Sequence, residues 1–263
     1  MKRVAFSLMV ILMVAASAIR AEAYPMDGLV LHLSFDEATV QGDTISDLSM
    51  QGNDAIIHGD AELDVGKFGE AMVFDGVDDY VEVPLTDSIT FTTGSSFTVQ
   101  AWVKTEDSPT QNDGIFGNYK QSTDALWMLS VSGDDAAARG KMGFSLRDKG
   151  RANSAGVKSE DFLNDGKWHH LAGVRDQAQQ KMYFYVDGTL IGEADDQTED
   201  INSGQSIWIG EHLSRFYTGL IDDVKAWNRP LSPNELELSR SGTAAVEPDS
   251  KLATMWGSLK ISD

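Results

Sequence analysis

Hydrophobic positions recur at every second residue over short runs of this chain, and turn residues separate the runs. In FTVQAWVK, Phe97, Val99, Ala101 and Val103 fall on one face and Thr98, Gln100, Trp102 and Lys104 on the other. In KMYFYVDGTLIGEA, Met182, Phe184 and Val186 make an apolar face, and Asp187-Gly188 predicts a two-residue hairpin into Thr189–Ala194. The same pattern predicts strands over 29–35, 71–74, 80–83, 114–118, 126–132, 141–147, 168–175, 206–209 and 219–227. In GKWHHLAGV it places Trp168, His170, Ala172 and Val174 on one face, with Trp168 a core aromatic. No long amphipathic helix interrupts the strands. One short helix is predicted from Pro233 to about Ser239, with Ser232 as N-cap, Pro233 at the first helical position and Glu235 completing a capping box. The expectation is an all-β, antiparallel two-sheet β-sandwich with one short C-terminal helix.

The two ends of the chain depart from this pattern. Met1-Lys2-Arg3, the apolar run from Val4 to Ala18 and the small-residue site Ala21-Glu22-Ala23 have the layout of a cleavable secretory signal. The apolar run is shorter than the roughly 20 residues a membrane-spanning helix needs. The reading is a signal peptide over 1–23, one domain over 24–241, and a linker and tail over 242–263, with secretion after cleavage near Ala23 and no membrane span. The chain has no cysteine, so packing and hydrogen-bond ladders, or a metal, must hold an exported domain together. Its 41 Asp and Glu against 21 Lys and Arg leave a net charge of −20. Such a surface repels phosphate backbones and excludes nucleic acid as the expected partner.

Seven ordered motifs carry a family resemblance: LHLSFDE at Leu31, DLSMQGNDAIIHG at Asp47, GKFGEAMVFDGVDDYVEVP at Gly66, FTVQAWVK at Phe97, GKWHHLAGVRD at Gly166, KMYFYVDGTLIG at Lys181 and GLIDDVKAWNRPLSPNEL at Gly219. Together they resemble the laminin G-like, concanavalin A-like lectin/glucanase superfamily of jelly-roll domains in exported bacterial proteins. The resemblance covers about Gly28 to Ser239. It implies the jelly-roll fold but not a ligand, because lectins, adhesion modules, hydrolases and lyases share this architecture. Gly76 is expected to supply a positive φ in the turn of MVFDGVDDYVEVP.

Candidate chemistry begins with Asp222 and Asp223. Strict alternation puts Leu220, Asp222, Val224 and Ala226 on one face and Ile221, Asp223, Lys225 and Trp227 on the other, so Asp222 shares a face with apolar side chains. A buried carboxylate needs a basic partner, backbone N–H groups or a cation. Asp36 ends a strand near the N-terminus, and a calcium ion held by Asp36 and Asp222 is the metal expectation. The resemblance implies such a structural calcium between first and last strands. It also implies, in its pentraxin branch, calcium-borne ligand capture, for which this chain offers Asp124 and Glu211 without a dense acidic cluster. The adjacent histidines His169 and His170 point to opposite faces of a strand and do not jointly chelate a metal.

The enzyme reading finds little support. No Glu-x-Asp-x-x-Glu strand of the laminarinase type is present, and Asp222 and Asp223 are not positioned as an acid and base pair. For polysaccharide elimination, Arg147, His170 and Tyr185 supply the right residue types but lie on separate strands. A noncatalytic module recognising a glycan or an extracellular protein needs only exposed rings and a few polar groups. The candidate ligand-binding residues are Trp102, Tyr119, Trp127, Tyr185, Arg215 and Tyr217. A polysaccharide-degrading enzyme on the same fold and a surface or matrix protein without a small ligand are the alternatives.

Overall fold

A computed structural model describes residues 25–118 and 125–241 of the chain. The signal and tail readings, Tyr119 and Asp124 lie outside the described residues. Among these, the strands form one sheet of eight, one of nine and a small hairpin of Glu211–His212 with Arg215–Phe216. The eight-stranded sheet runs Thr189–Asp195, Lys181–Val186, His169–Asp176, Phe97–Lys104, Thr218–Trp227, Glu70–Asp75, Leu63–Val65, and the first strand, Leu29–Leu33, also pairs with Thr218–Trp227. The nine-stranded sheet runs Ser154–Lys158, Met142–Arg147, Leu126–Val131, Asp113–Gly117, Ile207–Ile209, Tyr80–Val83, Ala55–His58, Thr44–Ile45, Val40–Gln41. Every pairing is antiparallel, as expected for the sandwich.

Alternation sets what lies between the sheets. Phe97, Val99, Ala101, Val103, Met182, Phe184 and Val186 point inward from one sheet and meet Trp127, Leu129, Val131, Met142, Phe144 and Leu146 from the other. Phe91 stacks on Phe97 at 4.4 Å between ring centroids, and Trp127 packs beside both at 5.6 Å. Gly173 allows this closeness, because a Cβ there would come within 2.5 Å of the Phe144 ring. Trp168 differs from expectation: it precedes the strand His169–Asp176 and is half-buried. His170, Ala172 and Val174 point outward, and Leu171 takes the core position.

The hairpin at Asp187-Gly188 forms with φ of 51° and 81°, and Gly76 has φ of 79°, as the turns require. The short strands Val40–Gln41, Thr44–Ile45, Ala55–His58, Leu63–Val65 and Ser154–Lys158 are absent from the sequence reading. They are two to five residues long and sit at or near sheet edges, where few apolar side chains mark a period. The helix spans Pro233–Arg240 with the expected capping box. It lays Leu236 over Leu29, Ala172, Val174, Tyr185 and Trp227 on the outer side of the eight-stranded sheet.

Candidate functional site

The last strand explains the paired aspartates. Ile221 pairs with Val103 and Asp222 with Trp102, but Lys225 pairs with Gln100, so one extra residue sits between. Asp223 takes that place with φ of 51°, a left-handed conformation that Asp tolerates better than most residues. The bulge reverses the alternation. Ile221, Val224 and Ala226 face the core, whereas Asp222 and Lys225 face outward beside Trp102 and Gln100. This corrects the strict two-face reading.

Both carboxylates are held on that outer side. Asp223 accepts from His32 Nε2 at 2.9 Å and from the ammonium of Lys225, itself fully buried. The neighbouring charge of Lys225 and the His32 bond outweigh burial and bring Asp223 down to about 2. Asp222 Oδ2 accepts the N–H groups of Lys67 and Phe68 at 2.8 and 2.9 Å, while Oδ1 is buried without a well-formed hydrogen bond. Burial dominates here and pushes the Asp222 carboxyl up to about 7. Asp36 Oδ1 accepts the N–H of Glu70 at 3.1 Å, so the two expected calcium ligands grip one loop, residues 66–70. Calcium takes about 6–8 oxygens. The fit is poor, because Asp222 Oδ2 and Asp36 Oδ1 both face N–H donors of the same loop.

This outer face is roofed. Lys67 Nζ lies 4.2 Å from the Trp102 ring centroid, and Phe68 meets the ring edge-on at 6.0 Å. Among the described residues, Gln100, Trp102, His170 and Ser239 bury polar atoms without hydrogen-bond partners. His170 lies 5.3 Å from the Trp102 ring, and burial together with the Lys225 charge pushes it down to about 3, so its imidazole is neutral. His169, by contrast, lies between Asp165 and Asp187 at 3.1 and 2.8 Å, and those carboxylates raise its pKa.

The outer face of the nine-stranded sheet is open and forms a groove of about 660 Å³. Its floor comes from outward positions of three neighbouring strands: Met128 beside Ser145 and Gly156, and Arg147 beside Ser154. One end carries Arg147 and Arg151, and Lys158 stands toward the other. The hairpin supplies the wall with His212, Leu213 and Arg215, and Gly114 lets it approach, since a Cβ there would meet Glu211 O at 2.5 Å. Arg215 stands 3.7 Å from Asp134, whose other oxygen accepts from Asn112 Nδ2 at 2.8 Å. His212 is pushed down to about 4, chiefly by burial, and further by the charges of Arg215 and Arg147.

Of the ligand-binding residues proposed from sequence, Arg215 lines this groove, as does Arg147, which the sequence offered for elimination instead. Tyr185 lines a second, smaller groove of about 410 Å³ with Tyr183, Pro230 and Pro233 beside the helix. Trp102, Trp127 and Tyr217 are 3 %, 1 % and 1 % exposed, so their rings present no face to a ligand; burial corrects the surface reading. Arg147 is on the outer face of one sheet and His170 and Tyr185 on the outer face of the other, so no elimination trio assembles. Sequence reasoning missed Ser145, Gly156, Lys158 and Arg151, which flank the weakly patterned edge strand Ser154–Lys158 or belong to it. It also missed Asp60, Asp75 and Asp78, three exposed carboxylates whose oxygens lie within 4.8 Å of one another.

Residues 75–237 match a family model that spans strands of both sheets. The chain belongs to the concanavalin A-like lectin/glucanases superfamily. This concanavalin A-like domain is similar in fold to the binding domain of Paraclostridial Mosquitocidal Protein 1, with 16% identity and a TM-score of 0.65, covering 82% of this chain and 52% of that one. It is similar to the Botulinum neurotoxin serotype D ligand binding domain in complex with N-acetylneuraminic acid, at 15% identity and a TM-score of 0.64, over 83% of this chain and 52% of that one. It is also similar to Domain 4 of AbnA, a GH43 extracellular arabinanase from Geobacillus stearothermophilus, in complex with arabinotriose, at 21% identity and a TM-score of 0.61, over 80% and 98%. The chain spans about half the length of the toxin domains it matches. No curated protein matches it in sequence.

Proposed function

We propose that this concanavalin A-like domain is an exported, noncatalytic carbohydrate-binding module that takes its glycan in the groove of the nine-stranded sheet. The carrying observation is the groove itself: a floor that sets the apolar Leu126 and Met128 beside the small and polar Ser130, Ser145, Ser154 and Gly156, between walls bearing hydrogen-bond donors, on a paired sheet. Two proteins of similar fold, the arabinanase domain and the serotype D domain, are described with bound sugars, which supports carbohydrate as the ligand class. The groove brings one carboxylate, Asp134, among its described lining residues. Glycoside hydrolysis ordinarily needs a pair of carboxyl groups about 5 to 9.5 Å apart. The signal-like pattern of residues 1–23 in the sequence supports export, and a melting temperature raised by calcium and lowered by chelator would add a structural calcium to the reading.

The test is titration of the purified protein against a panel of polysaccharides, beside a Ser145→Tyr variant that fills the groove floor. The variant is expected to lose binding at least tenfold while unfolding at nearly the wild-type temperature. Undiminished binding by Ser145→Tyr would sink the placement. A second reading rests on the smaller groove, where Tyr183 and Tyr185 offer ring surface for stacking against a sugar. Loss of binding in Tyr185→Ala, with Ser145→Tyr unaffected, would select it. Silence across the whole panel would favour an extracellular protein as the partner instead.

A further inference from the structure

Charge in the groove runs against charge in the molecule. The whole chain carries about two acidic residues for each basic one, yet among the described residues that line the groove the charged ones are Arg147, Arg151, Lys158 and Arg215 against Asp134. Lys158 is exposed and has no carboxylate partner among the described residues, and Arg215 reaches its nearest acid only at 3.7 Å. The charges of Arg147 and Arg215 both act on His212 at the hairpin wall, offset in part by Asp134. A cleft lined by one sign of charge concentrates ligands of the other sign, and it does so here against a repulsive background.

Resting on the carbohydrate-binding reading, we propose that the groove selects acidic polysaccharides, whose carboxylate or sulfate groups pair with Arg147, Arg151, Lys158 and Arg215. The spacing favours a repeating polyanion over a single terminal acid. Arg147 pairs with Ser154 and Gly143 with Lys158, so the two cationic positions are four residues apart along adjacent strands. At about 3.3 Å per residue that separation is roughly 13 Å, longer than one pyranose ring. Ser145 and Gly156 lie between and leave room for the rings that join the charged groups.

The test is calorimetric titration of the purified protein with polygalacturonate and alginate as uronate polymers, a sulfated carrageenan, neutral laminarin and arabinan, and polyglutamate as a non-sugar polyanion. One or more of the acidic polysaccharides is expected to bind at least tenfold more tightly than either neutral glycan. That affinity is expected to fall at least fivefold between low and high salt, because salt screens charge pairing. The uronate and sulfate arms identify which acid the groove takes. Lys158→Gln and Arg215→Gln should each weaken acidic-glycan binding at least threefold with no change in melting temperature. Neutral glycans bound as tightly, or without salt dependence, would overturn the charge inference and leave the binding module standing. Polyglutamate bound as well as the uronates would overturn selection for a sugar polymer. Acidic-glycan binding indifferent to both variants would move the site elsewhere, and no glycan binding at all would overturn both readings.

Discussion

The outer faces of the two sheets begin from the same alternation and end in opposite states. On the eight-stranded sheet, Gln100, Trp102, His170, Asp222 and Lys225 point away from the core, as Ser130, Ser145 and Arg147 do on the nine-stranded sheet. The first set is roofed by the helix Pro233–Arg240 and the loop at residues 66–70, so its polar groups must find partners in the protein or go without. The second set stays in contact with solvent and forms a groove. Polarity on an outward strand position is therefore no guide to function by itself. Under a roof the polar group becomes a question of stability; in the open it is available to a ligand.

Three measurements sharpen that contrast. The largest effect is expected from Asp223→Ala, which removes the carboxylate partner of the fully buried Lys225. Breaking a buried pair in this way costs about 3–5 kcal/mol, readable as a lowered urea midpoint. A loss under about 1 kcal/mol would show the roof to be wetter than the geometry describes. A smaller, pH-dependent effect is expected from Asp222→Asn. Burial raises the folded-state pKa of Asp222 to about 7, above its unfolded value near 3.8, so the wild type carries the full penalty of an ionised buried group above pH 7 and sheds it as pH falls toward 4. The Asn variant should gain most in melting temperature, relative to wild type, near pH 8, and the difference should shrink toward pH 5. His170, neutral and pushed down to about 3, lowers stability as pH drops below 6.5 in both proteins and cancels from the difference. A gap that stays constant with pH would mean that Asp222 remains charged throughout, as a bound cation would make it. The smallest shift is expected from Gln100→Met, which replaces a buried amide lacking partners by an apolar chain of similar length. It should stabilise by about 1 kcal/mol, measured by the same urea titration; destabilisation would reveal a buried water or partner satisfying the amide.

The sandwich was legible because strand period and turn residues are local properties. FTVQAWVK and KMYFYV read correctly because each inward residue meets the opposite sheet. The capping box at Ser232 and Glu235 was equally plain, since four consecutive residues complete it. The groove was legible at Arg215, and at Arg147 only for a different chemistry. Ser145 and Gly156 carry no signal alone, and their role depends on three strands lying side by side. Trp102 and Trp127 misled because an aromatic on a strand looks the same to sequence whether a loop, a sheet or water lies above it.

Sequence alone therefore determined the class of fold, the place of its principal strands along the chain, the hairpin at Asp187-Gly188 and the helix, all of which follow from backbone preferences and apolar periodicity within a few residues. Tertiary structure decided the rest. It placed the bulge at Asp223, set Asp222 against loop N–H groups, roofed one face, and gathered four cations on the other in a chain dominated by acids. The physical reason is that burial and electrostatic potential depend on neighbours distant along the chain, and only the packed sheets bring those neighbours together.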